Sequence, residues 1–212
     1  MLHVYFMRHG ETAWNTVKRL QGTTDIPLNE NGIALARAVS QAVHESNIHF
    51  EYVFTSPLVR ARKTAELMSQ YSPATVQADE RISEFCFGEA EGVTLADIKR
   101  LPQFAWICDW FLAPERYQPQ AGAESYEHFF SRLQNFLDSL RALDADPEND
   151  GKSVLIVCHG GVVRGLVHCM TGDSLAHFAD VKIPNCGVNL ATLSGGNFTL
   201  EYTAKVFATA VQ

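Results

Sequence analysis

Arg8-His9-Gly10-Glu11-Thr12 follows the apolar run Leu2-His3-Val4-Tyr5-Phe6-Met7, so a histidine between arginine and glycine stands where a buried strand leaves the core. Such a histidine can close a strand, ligate a metal or act as a catalyst. Two further apolar runs end on similar residues. Tyr52 to Phe54 leads into Thr55-Ser56-Pro57-Leu58-Val59-Arg60-Ala61-Arg62, and Val154 to Val157 leads into Cys158-His159-Gly160-Gly161. Each stretch has a plain structural reading: a surface cation for Arg60 or Arg62, helix packing for Gly160-Gly161. Together they place two histidines and at least two arginines at equivalent strand ends, which points to an anion site. A phosphoryl group suits it, because guanidinium forks pair with phosphate oxygens and glycines let backbone N–H groups approach closely. Neutral imidazole can attack phosphorus and split one displacement into two. Glu84, flanked by apolar and aromatic residues in Ile82-Ser83-Glu84-Phe85-Cys86-Phe87-Gly88, suits the general acid that a leaving alkoxide needs. Glu80, Glu89 and Glu91 are expected to face solvent or cap turns.

The elements that must position these groups are set by periodicity. The three apolar runs alternate with helical patterns, which predicts an α/β fold with a mostly parallel central sheet and helices on both faces, a three-layer sandwich. Ile33, Ala36, Val39 and Val43 keep helical spacing with Asn29 as a cap. Phe129, Leu133, Phe136, Leu137 and Leu140 form a second stripe after Ser125, a good N-cap. Val188 to Leu193 and Phe198 to Tyr202 flank Ser194-Gly195-Gly196-Asn197, the pattern of an antiparallel hairpin at the end of the chain. Pro102 to Gly122 crowds Phe104, Trp106, Trp110, Phe111 and Tyr117 between prolines and reads as an insertion, a small helical or loop cap over about 93–124. In a parallel sheet the strand C-termini share one edge, where ligands bind.

Length and charge bound the function. The 212 residues favour one domain, 1–212, carrying the cap. With 17 Lys and Arg against 24 Asp and Glu, the net charge of −7 argues against a nucleic-acid or anionic membrane surface. No apolar stretch reaches the roughly 20 residues of a bilayer span, and the first run is too short for a signal-peptide core. Five cysteines, Cys86, Cys108, Cys158, Cys169 and Cys186, lack a paired metal-ligand spacing and fit reduced thiols in a cytoplasm. Neither a structural zinc nor nucleotide triphosphate binding is expected, since no glycine-rich loop ends in Gly-Lys-Ser/Thr.

Arg-His-Gly-Glu-Thr near the start, Ser56-Pro57-Leu58 with Arg60 and Ala61, Glu84 before Phe85-Cys86-Phe87-Gly88, and the late His159-Gly160 resemble the histidine phosphatase superfamily, the phosphoglycerate mutase-like fold. Trp14-Asn15, Gln21-Gly22, Asp25-Ile26-Pro27-Leu28 and Gly32 extend the resemblance along the whole chain. It implies that His9 becomes phosphohistidine, that Arg8, Asn15, Arg60 and His159 hold the phosphoryl oxygens, and that Glu84 protonates the leaving group and then activates water. It implies no metal and no cofactor. His3, His44, His49, His128, His168 and His177 match no role and read as structural or solvated. Glycolytic mutases of this family carry Arg-His-Tyr-Gly after the acid glutamate and a cationic insertion. Phe85-Cys86-Phe87-Gly88 and a cap short of cations favour hydrolysis of a small phosphorylated metabolite over a phosphoglycerate-type mutase. Among phosphatases of this length, α-ribazole 5′-phosphate and phosphosugars are both candidate substrates. The family's Gly-Gly-Glu-Ser stands here as Gly122-Ala123-Glu124-Ser125, which puts a substrate contact there in doubt. A silent phosphate-binding module is disfavoured because His9 and Glu84 are both present, and oligomeric state is not legible.

Overall fold

The computed structural model describes residues 1–120 and 122–208; the expected unit 1–212 therefore includes residues outside the described ones. Among the described residues six strands form one sheet in the order β3-β2-β4-β1-β5-β6. The parallel part comprises β1 (Leu2–Arg8), β2 (Tyr52–Thr55), β3 (Val76–Ala78) and β4 (Ser153–Cys158). The hairpin of β5 (Val188–Ser194) and β6 (Asn197–Lys205) adds antiparallel to β1, as the Gly195-Gly196 turn predicts. β3, only three residues long and at the sheet edge, had no periodicity to reveal it.

Alternation along the strands sends successive side chains to opposite layers. Leu2, Val4 and Phe6 of β1 join Val154 and Ile156 of β4 against α6 (Tyr126–Asp144) and α7 (Gly160–Thr171). Tyr5, Met7, Val53, Leu155 and Val157 face α2 (Glu30–Glu45) and α3 (Val59–Met68). The predicted α6 stripe, Phe129, Leu133, Phe136, Leu137 and Leu140, is fully buried. Ser125 and Asn29 cap α6 and α2 as expected, accepting from the N–H groups of His128 and Gly32.

The described residues of 93–124 are partly helical, with α4 (Leu95–Arg100), α5 (Ala105–Leu112) and two 3-10 turns at Pro102–Phe104 and Pro114–Arg116. Its aromatics mostly pack on the core: Trp106, Trp110 and Tyr117 are buried, with Phe85 and Tyr126 among their partners. Among the described residues no helix is long and apolar enough to cross a membrane.

Candidate active site

Pairing of Arg8 with Cys158 and of Thr55 with Val157 brings the C-terminal ends of β1, β2 and β4 to one edge of the sheet. There a cleft of about 560 Å³ opens, lined by Arg8, His9, Asn15, Arg60 and Glu84 among others. The predicted residues thus converge, with His159 buried beside His9, their ring centroids 5.2 Å apart.

His9 is held on every side. Its backbone N–H donates to the carbonyl of Cys158 at 2.9 Å, and its own carbonyl accepts from Asn185 Nδ2 at 2.9 Å. Nδ1 lies 2.6 Å from the carbonyl of Gly10, so the proton belongs on Nδ1 and the lone pair on Nε2. Burial, then the charges of Arg8 and Arg60, push the His9 pKa well below the ordinary histidine value. The imidazole is therefore neutral and nucleophilic at neutral pH.

Arg60 has no exposed surface, which is rare for a cation. Its terminal nitrogens donate to the carbonyls of Thr24 (2.8 Å) and Gly22 (2.6 Å), and its Nε has no partner among the described residues. Burial lowers its pKa to about 10, still charged at neutral pH. The accepting loop is fixed in turn by Glu91, which accepts from the backbone N–H groups of Thr23, Thr24 and Phe87. Glu91 thus caps turns, whereas Glu80 and Glu89 are exposed. Arg62 is also exposed, so the surface reading applies to it and the buried one to Arg60.

Arg8 donates to the carbonyl of Ile183 at 2.9 Å and leaves Nε without an acceptor among the described residues. His159 is fully buried, and neither ring nitrogen has a partner among the described residues. Buried polar groups rarely stay unpaired; the Nε–H groups of Arg8 and Arg60 in the cleft wall and the one N–H of a neutral His159 behind it are donors that acceptor oxygens would satisfy. Burial and the neighbouring arginines push His159 well below its ordinary pKa, with Arg60 the first of those charges.

Glu84 Oε2 accepts from the N–H of Gly161 at 3.1 Å and Oε1 from Phe85 N at 2.9 Å. Gly161 allows this approach, since a Cβ there would stand 2.6 Å from Glu84 Oε1. Asn15 has an additional task. Its Oδ1 accepts from the N–H and hydroxyl of Thr12, and Thr12 accepts from Asn15 N, a capping box on α1 (Ala13–Thr16) that fixes the amide at the cleft wall.

Several lining residues were not legible in the sequence. Asn185 and Ile183 lie in an aperiodic, proline-containing loop that touches the site through long-range hydrogen bonds. Arg164, also in the wall, stands at helical spacing from Gly160 and Gly161, which was the available signal.

A family model described as "Histidine phosphatase superfamily (branch 1)" matches residues 4–205. The chain belongs to the histidine phosphatase superfamily. Its relatives in the superfamily include "Uncharacterized phosphatase PhoE" of Bacillus subtilis, 33% identical over 81% of this chain and 79% of that one. "Probable phosphoglycerate mutase GpmB" of Serratia proteamaculans is 33% identical over 89% of this chain and 84% of its own. A phosphoserine phosphatase variant from Entamoeba histolytica, solved in complex with phosphoserine, superposes with a TM-score of 0.81 at 25% identity, covering 97% of this chain and 98% of its own. The protein is thus an enzyme of a superfamily whose named members include phosphatases and mutases.

Proposed function

We propose that the protein hydrolyses a small phosphomonoester through a phosphohistidine on His9. The observation that carries this reading is the neutral His9, with Nδ1–H donated to Gly10 and Nε2 free, inside a ring of unpartnered guanidinium and imidazole nitrogens. Arg8, Asn15, Arg60 and His159 hold the phosphoryl oxygens. Two guanidinium charges offset the phosphate dianion. A bond forms from His9 Nε2 to phosphorus as the bond from phosphorus to the leaving oxygen breaks, and Glu84 gives that oxygen its proton. Glu84 then takes a proton from water as the water attacks phosphorus and the P–N bond breaks, releasing phosphate. No step calls on a metal or cofactor.

The segment 93–124 acts in this proposal as a cap on the single unit, contributing Leu95, Trp110 and Phe111 to the cleft wall. Free thiols at all five cysteines suit a reducing cytoplasm. A rapid quench into cold alkaline denaturant, which preserves the acid-labile P–N bond, followed by intact-mass measurement during turnover of an aryl phosphate tests the mechanism. One added phosphoryl group is expected in the parent and none in His9→Ala; full activity in His9→Ala would overturn it. The mutase reading has one support, the similarity to the mutase-named relative. Product analysis with 3-phosphoglycerate plus 2,3-bisphosphoglycerate decides between them, with free phosphate expected.

A further inference from the structure

The peptide that joins His9 to Gly10 is gripped at both of its polar ends. Its carbonyl accepts from Asn185 Nδ2 at 2.9 Å, and its N–H donates to Thr64 Oγ1 at 3.0 Å. On the other side of His9, the N–H donation to the carbonyl of Cys158 at 2.9 Å fixes the preceding peptide. The backbone dihedrals that aim the His9 ring are therefore set by partners distant in sequence. Space is closed as well: a Cβ on Gly10 would stand 2.7 Å from the carbonyl oxygen of Gly32, so the turn packs directly on α2.

Thr64 has no exposed surface and lies one turn after Arg60 on α3. Its hydroxyl donates to the carbonyl of Arg60 at 2.7 Å. A hydroxyl has one proton and two lone pairs, so with the proton on Arg60 a lone pair is left for the Gly10 N–H. Bonding back to the residue four earlier is common for threonine in helices and by itself means only a satisfied side chain. That plain reading accounts for the donated bond alone. It does not account for the same oxygen accepting from a backbone N–H 54 positions away, in the turn that carries His9.

We infer that Thr64 is a positioning residue: its one hydroxyl bridges the backbone of Arg60 to the His9–Gly10 peptide and so sets the nucleophile against the phosphate clamp. The inference rests on the proposed phosphohistidine reading and adds to it a residue outside the cleft lining. The guanidinium of Arg60 is held separately by the carbonyls of Gly22 and Thr24, so phosphate affinity does not depend on Thr64. The line from Nε2 to phosphorus does, and a misplacement of about 1 Å there costs about 10²-fold in rate. The bridge also steadies the backbone just before the Gly10 carbonyl, which lies 2.6 Å from Nδ1 and keeps the proton there.

Thr64→Val keeps the shape of the side chain and removes the bridge. On p-nitrophenyl phosphate its kcat is expected to fall by about tenfold to 10²-fold, with KM and the Kd of inorganic phosphate within about twofold of the parent. Quenching into cold alkaline denaturant is expected to place the loss in formation of the phosphoenzyme. Thr64→Ser keeps the hydroxyl and drops the methyl, so its kcat is expected within about threefold of the parent. Long-range proton–nitrogen correlation spectra, with His9 assigned by its absence in His9→Gln, read the ring directly. They are expected to show Nδ1–H in the parent and in Thr64→Ser, and a gain of the Nε2–H form in Thr64→Val. Parent kcat in Thr64→Val, a loss that falls wholly in KM, or equal losses in the valine and serine variants overturns the inference. Should Thr64→Val not fold, Thr64→Ser decides: parent activity upholds the hydroxyl bridge, and a loss of about tenfold assigns the effect to the methyl and overturns it. A parent that forms no phosphoenzyme, with the tautomer change still present in Thr64→Val, overturns the hydrolase reading and upholds the positioning.

Discussion

Arg132 and Glu124 form a forked ion pair beneath the segment that carries Glu84, with Nε 2.7 Å from Oε1 and a terminal nitrogen 3.0 Å from Oε2. The same guanidinium donates to the carbonyls of Arg81 (2.7 Å) and Glu84 (3.2 Å), and Glu124 Oε2 accepts from Cys86 N at 3.3 Å. The chain on both sides of Glu84 is therefore clamped. This also gives Glu124 of the Gly122-Ala123-Glu124-Ser125 stretch a place: it anchors Arg132 and the backbone of Cys86.

Breaking that pair has a defined consequence. Glu124→Ala leaves the Arg132 charge largely buried without its partner, a defect of about 3–5 kcal/mol. Denaturant unfolding should show the loss, and kcat should fall more than KM rises, because Glu84, the proposed acid, is displaced while the proposed phosphate ligands remain. Parent stability together with parent kcat would refute the clamp.

Oxyanion binding should stabilise the protein through Arg60. Inorganic phosphate that binds the folded state alone adds about 2.7 kcal/mol at a hundredfold excess over Kd. A thermal-shift titration is expected to raise Tm in the parent and to do so far less in Arg60→Met. An equal rise in both would remove Arg60 from the proposed phosphate site.

The pH dependence of stability is set by the two buried histidines. Folding depresses both pKa values, so below about 6.5 the unfolded chain binds protons that the folded chain refuses. Stability is then full above that pH and lost as pH falls through it, by up to about 2.7 kcal/mol per pH unit for two groups. Urea melts at pH 7.0, 6.0 and 5.5 should show this slope, and His159→Asn should halve it. A flat profile across that window contradicts the buried neutral pair.

Much of this site was legible because its groups sit where simple periods end. The runs Leu2 to Met7, Tyr52 to Phe54 and Val154 to Val157 announce strands, and parallel pairing delivers the residues just beyond each run to one edge. The groups that stayed hidden depend on pairing distant in sequence. Asn185 reaches His9 across 176 positions, and Glu91 holds the loop that grips Arg60. A three-residue edge strand such as β3 has too few residues to show a period. Asn15 was legible as a candidate residue of the cleft but not as half of a capping box, since its partner Thr12 is three residues earlier with no apolar run to mark the helix.

Gly161→Ala isolates Glu84, the proposed acid. Alanine fits the helical backbone of α7, but its methyl would stand 2.6 Å from Glu84 Oε1 and 3.4 Å from Trp110, so the carboxylate must shift. Protonation matters most when the leaving group is a poor one, because an alkoxide needs the proton and a nitrophenolate barely does. General acid catalysis is worth about 10²–10⁴-fold. The variant is therefore expected to lose on the order of 10² in kcat/KM on an alkyl phosphate and less than about tenfold on p-nitrophenyl phosphate. Equal losses on the two substrates would mean that the methyl disturbs phosphate binding, and Glu84 would then lose its assignment as the acid.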